Sequence, residues 1–140
     1  MNLERAIEIA VAAHKGARDK GGQPYILHPL RLMMAMPDDA HKTVAVLHDV
    51  VEDSDWTFEA LADEGFTPEI IAALQSVTRT NRYEPYMDFA ARAKADPIGR
   101  VVKIADITDN LDVTRIGELS DKDLERINKY KRALALLRAP

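Results

Sequence analysis

Apolar residues recur three or four positions apart along almost the whole chain, the spacing of one face of a helix. Leu3, Ile7, Ala10 and His14 share the inner face of a first helix, which Gly16 closes. A polar, glycine-rich turn follows over Arg18-Asp19-Lys20-Gly21-Gly22-Gln23-Pro24. His28-Pro29 opens a short helix carrying Leu30, Met33 and Met36, and Pro37 stops it. Asp38-Asp39 caps a helix striped by Ala40, Val44, Leu47 and Val51 that ends near Asp53. Thr57 caps a short helix ended by Gly65, and Thr67-Pro68 starts another with Ile70, Leu74 and Val77 on one face. Pro85 begins a helix with Tyr86, Phe89, Ala90 and Ala93, and Asp96-Pro97 begins one with Ile98, Val101, Ala105 and Thr108. Ser120-x-x-Asp123 resembles a capping box ahead of Ile127, Tyr130, Leu134 and Leu137. No alternation of polar and apolar residues lasts long enough for a sheet, and no repeat or linker interrupts the series. The pattern predicts a compact all-α fold, a single domain over residues 1–140 with seven or eight helices.

Composition narrows the function classes. The 140 residues contain no cysteine, which excludes a disulfide framework, a thiolate zinc site and a cysteine nucleophile. Apolar stretches such as Leu32–Met36 run only a few residues, so no membrane span is expected. Met1-Asn2-Leu3-Glu4-Arg5 lacks the basic start and apolar block of a signal peptide, which predicts a soluble, cytoplasmic protein. Lys and Arg total 19 against 23 Asp and Glu, a net charge of −4 that gives no footprint for nucleic acid. Local basic groups still leave a small anionic substrate open. Nothing in the sequence fixes an oligomeric state.

Chemistry concentrates in Leu47-His48-Asp49-Val50-Val51-Glu52-Asp53. On one continuous helix, Glu52 stands a turn beyond His48 and Asp53 a turn beyond Asp49. One imidazole and three carboxylates then line adjacent faces. Three clustered anions resist ionising together unless a cation compensates. The spacing leaves two readings open, a divalent metal site or an exposed acidic helix end. Acids at a helix C-terminus oppose its dipole, which makes the second less expected. His28 beside the glycine-rich turn is a candidate further ligand, or else a capping or surface histidine. Asp106, set between Ala105 and Ile107 with Asn110 four residues on, is either a ligand or half of a buried ion pair. His14 is expected in the core with a hydrogen-bond partner and His41 in solvent; Met33, Met34 and Met36 are expected to fill the core.

Four segments occur in order: Ala13-His14-x-Gly16, Pro24-Tyr25-Ile26-x-His28-Pro29, Leu47-His48-Asp49-Val50-Val51-Glu52-Asp53 and Lys103-Ile104-Ala105-Asp106-x-x-x-Asn110. Together they resemble the hydrolase domain of the RelA/SpoT family, within the HD superfamily of metal-dependent phosphohydrolases, and its free-standing small alarmone hydrolases. The resemblance runs from about residue 3 to about residue 112, with a weaker match in the last helix. It implies that His28, His48, Asp49 and Asp106 bind one Mn²⁺, with Zn²⁺, Fe²⁺ or another divalent ion open. It implies that Glu52 and Asp53 orient and deprotonate the attacking water. Lys20 matches a basic residue near the phosphates, Asn110 a contact to the nucleoside, and Tyr130 a tyrosine near the sugar. Lys103 and Arg18 could add positive charge beside a diphosphate. The implied activity removes the 3′-diphosphate of a guanosine alarmone and releases pyrophosphate.

Two residues depart from the family pattern. Asp19 stands where the family usually has the arginine that stacks on guanine, and Asp109 where histidine or tyrosine is more common. The departures keep other substrates open: an adenine alarmone, NADPH or a nucleotide monophosphate. A non-catalytic nucleotide sensor on the same fold is the rival from another class.

Overall fold

The computed structural model describes residues 3–79 and 81–140. The described residues form helices α1 (Leu3–His14), α2 (Leu27–Met34), α3 (Asp39–Leu47), α4 (Val50–Asp53), α5 (Phe58–Asp63), α6 (Pro68–Ser76), α7 (Tyr86–Ala95), α8 (Pro97–Asn110) and α9 (Asp121–Arg138). A single 3₁₀ turn, Val113–Arg115, lies between the last two, and no strand occurs among the described residues. The all-α expectation stands, with α3 and α4 as the two parts of one interrupted helix. No helix among the described residues is long and apolar enough to cross a membrane.

The caps form as their side chains dictate. Thr57, Thr67 and Asp96 each accept a backbone N–H from the first turn they open. Ser120 and Asp123 bond reciprocally in a capping box. α3 is the central element, and α1, α2, α6 and α8 all pack on it. Its segment Thr43-Val44-Ala45-Val46-Leu47 is buried on every side, so this helix ends deep in the molecule. The side chains that follow Leu47 therefore emerge inside the fold.

Five features differ from the sequence pattern. The helix through Val51 is not continuous: Asp49 adopts φ −106° and ψ 0°, and the chain restarts as α4. α8 is rotated from its apolar stripe. Its buried face is Ile98, Gly99, Val102, Lys103, Asp106 and Ile107, while Val101 lies exposed. Burying a lysine and an aspartate together displaced the phase that apolar residues alone suggest. Met34 is 75% exposed, whereas Met33 and Met36 join the core. His14 is buried as expected, but its Nε2 has no hydrogen-bond partner among the described residues. His41 is half-buried and holds Asp38 at 2.8 Å.

Candidate metal centre

The interruption after α3 turns His48 and Asp49 toward α2 and α8. His28 arrives from the first turn of α2 and Asp106 from the buried face of α8. Ligand atoms of His28, His48 and Asp49 all lie within 4.8 Å of one another. Asp106 Oδ1 stands 2.9 Å from His28 Nε2 and 3.5 Å from His48 Nε2. The four candidate ligands, drawn from two helices and one helix break, thus converge.

Neighbouring side chains fix these atoms. His48 Nδ1 donates to the Ala45 carbonyl at 2.7 Å, so Nε2 is the nitrogen offered to the carboxylates. That Nε2 is fully buried and unaligned for any hydrogen bond, although Asp49 Oδ2 lies 3.1 Å away. A divalent cation would satisfy this nitrogen and the facing oxygens at once, so the residues present fit such a group. Tyr25 donates its hydroxyl to Asp49 Oδ2. Lys103 Nζ holds Asp106 Oδ2 at 3.1 Å and lies 4.3 Å from the Phe89 ring centroid. Asn110 Nδ2 donates to Asp106 Oδ1 at 3.1 Å.

Charge follows this packing. Burial opposes ionisation of Asp106, but Lys103 and the two histidines override it and hold its carboxyl well below the usual carboxylate range. Burial likewise opposes a charged His48, and Asp49 and Asp106 raise its pKa well above an ordinary histidine's. The acidic pair moves the other way. Desolvation, then the neighbouring Asp49 and Glu52, push Asp53 up to about 6. Glu52 is also raised by desolvation, although the Arg79 backbone N–H donates to its Oε1 at 2.8 Å.

Two cavities flank the centre. One, of about 320 Å³, is lined by Asp49, Glu52, Arg79, Lys103, Asp106 and Lys129 among others. The other, of about 230 Å³, includes Arg18, Asp19, Lys20, Arg31, Arg115 and Arg126 in its lining. Tyr25, Asn110 and Tyr130 line both. Arg18, Lys20, Asn110 and Tyr130 therefore stand on the second cavity's wall. Lys103 differs: it is 6% exposed and engaged with Asp106. Asp53 lines neither cavity. Tyr25, Arg79, Arg126 and Lys129 carried no role in the sequence pattern. Tyr25 lies within the quoted Pro24–Pro29 segment; the others depend on long-range packing.

Comparison with known proteins gives a consistent set of relatives. The chain is 30% identical over 120 residues to a guanosine-3′,5′-bis(diphosphate) 3′-pyrophosphohydrolase of Aquifex aeolicus, covering 78% of this chain and 17% of that protein. It is 27% identical over 136 residues to the Drosophila melanogaster guanosine-3′,5′-bis(diphosphate) 3′-pyrophosphohydrolase MESH1, covering 89% of this chain and 75% of the relative. The chain is thus similar, over most of its own length, to proteins named as 3′-pyrophosphohydrolases. A probable GTP pyrophosphokinase of Mycobacterium leprae is 31% identical over 125 residues, 81% of this chain and 16% of the relative. The chain thus spans about one sixth of the length of the long bacterial relatives, at 17% and 16%. No protein-family model matches it. The fold matches the solved structure of a metazoan SpoT orthologue that hydrolyses ppGpp, with a TM-score of 0.83 and 24% identity over 98% of this chain and 85% of that one.

Proposed function

We propose that residues 1–140 act as one metal-dependent hydrolase domain that removes the 3′-diphosphate of a guanosine alarmone of the (p)ppGpp kind and releases pyrophosphate. The carrying observation is the convergence of His28, His48, Asp49 and Asp106, with the orphaned His48 Nε2 at its middle and Glu52 on the adjoining cavity. The names of the Aquifex and Drosophila relatives support the substrate class.

In this reading His28, His48, Asp49 and Asp106 hold Mn²⁺ or a similar divalent ion through two imidazole nitrogens and two carboxylates. When bound, such a cation supplies Lewis-acid charge to phosphoryl oxygens and acidifies water. Glu52 is fixed through Oε1 by Arg79, which leaves Oε2 to accept a proton from the attacking water. Asp53 assists from the next position. Water attacks the phosphorus bonded to the 3′-oxygen, and the bond between them breaks. The 3′-oxygen leaves as a hydroxyl, and pyrophosphate carries away the water's oxygen. Lys20, Arg18, Asn110 and Tyr130 bind the nucleotide from the second cavity, while Lys103 acts through Asp106. The net charge of −4 supports a small-molecule partner over nucleic acid, and we assign the setting to the cytoplasm, where such nucleotides dissolve.

Purified protein with Mn²⁺ should release pyrophosphate from ppGpp, and Asp49→Ala should release none. Asp19 on the cavity wall makes ppApp, NADPH and a nucleotide monophosphate necessary members of the same panel. Orthophosphate from one of these would move the assignment to another phosphoester. Stabilisation by a nucleotide without product would favour a sensor, and no turnover across the panel would remove the enzyme.

A further inference from the structure

We propose that Asp109 selects which nitrogen of His28 faces the metal, making it a positioning residue for the centre. The proposal rests on the metal reading above and adds a residue to which that reading gives no role.

His28 is 4% exposed and lies between two carboxylates. Its Nδ1 is 2.6 Å from Asp109 Oδ2, and its Nε2 is 2.9 Å from Asp106 Oδ1. Both acceptors could take the single proton of a neutral ring, so their surroundings decide its place. Asp106 already has donors: Lys103 on Oδ2 and Asn110 on Oδ1, each at 3.1 Å. Asp109 is clamped in a fixed orientation. Arg31 Nε and Nη2 grip its two oxygens at 2.9 Å each, a fork that fits a carboxylate. Arg115 Nη2 holds the Asp109 backbone carbonyl at 2.7 Å and lies 3.4 Å from Oδ2. Asp109 Oδ2 is also the nearer acceptor, at 2.6 Å against 2.9 Å, and on this geometry the proton sits on Nδ1. The Nε2 lone pair is left toward His48, Asp49 and Asp106, where a cation would need it. A carboxylate behind a ligating histidine is a common way of fixing the tautomer and raising ligand basicity.

Neither histidine nor tyrosine could fill this role with Arg31 in place, because neither offers a planar anion to a guanidinium fork. The arrangement also engages Arg31 and Arg115, leaving Arg18, Lys20 and Arg126 as the other cations on that cavity. Without Asp109, Nδ1 loses its acceptor and the ring proton shifts to Nε2, donated to Asp106. That proton occupies the place of the metal.

Two measurements on metal-stripped protein comprising residues 1–140 test this. Nitrogen-15 NMR in mildly alkaline buffer should find His28 protonated on Nδ1 in the wild type and on Nε2 in Asp109→Ala. Calorimetric titration with Mn²⁺ should show affinity about 10–100-fold weaker in Asp109→Ala. Asp109→Asn keeps an accepting oxygen and should fall between, and Arg31→Gln should also weaken binding. These two carry the test should Asp109→Ala fail to fold. A His28 that keeps its Nδ1 proton in Asp109→Ala, or Mn²⁺ affinity within about twofold of wild type in Asp109→Ala or Arg31→Gln, overturns the proposal. A wild-type protein that takes up no Mn²⁺ removes the metal reading itself, and this proposal with it.

Discussion

Lys103→Met removes a buried lysine that lies against the proposed ligand set. Lys103 is 6% exposed, its Nζ 3.1 Å from Asp106 Oδ2 and 4.3 Å from the Phe89 ring centroid. Methionine keeps most of the stem packing and deletes the charge. Asp106 would retain Asn110 at 3.1 Å, with His48 Nε2 3.5 Å away. Removing one partner of a buried ion pair costs about 3–5 kcal/mol, and the surviving partners put this case at the lower end, about 3 kcal/mol. A chain of this length unfolds with an entropy of about 0.3 kcal/mol/K, so Tm should fall by about 10 °C. Thermal unfolding of metal-stripped protein, followed by circular dichroism, reads the change. Ligand at about 100 times its Kd stabilises by about 2.7 kcal/mol. In Lys103→Met the added cation also neutralises charge that the lysine had balanced, so Mn²⁺ should raise Tm more than in wild type. A metal-free fall below about 3 °C, or equal gains from Mn²⁺, would refute the reasoning.

Glu52→Gln should keep Mn²⁺ affinity and lose about 10²–10⁴-fold in turnover; loss of metal instead would make Glu52 a ligand. Asp53, pushed up to about 6, must ionise to assist as a base, so kcat should fall as pH drops through about 6. For stability the sign is opposite: the fold favours protonated Asp53, a contribution present below the ordinary value and lost as pH rises through about 6. Asp53→Asn should therefore stabilise the metal-free protein above about pH 6 and change little below about pH 4 in denaturant titrations. Gly99→Ala would bring a Cβ to 2.0 Å from Ser76 Oγ across the α6–α8 contact, and urea unfolding should show a loss of about 1–3 kcal/mol.

The sequence pattern carried most of the architecture because its signals are local. Thr57, Thr67, Asp96 and Ser120 cap the helices they precede, through side chains within reach of the next turn. The break at Asp49 left no such mark: Ala40, Val44, Leu47 and Val51 keep helical spacing across it, with no glycine or proline to interrupt. α8 was misphased because Lys103 and Asp106, polar by type, lie on its buried face as a pair. His28, His48, Asp49 and Asp106 were legible as ligand types, but their meeting point depended on three helices packing together. Arg79 reaching Glu52 and Arg31 gripping Asp109 join residues 27 and 78 positions apart, beyond any periodicity.

A crystal grown with Mn²⁺ and measured on both sides of the manganese absorption edge tests the centre most directly. A single anomalous peak bounded by His28 Nε2, His48 Nε2, Asp49 and Asp106 is the expected result. No peak among these four side chains, or manganese held elsewhere on the molecule, would contradict it.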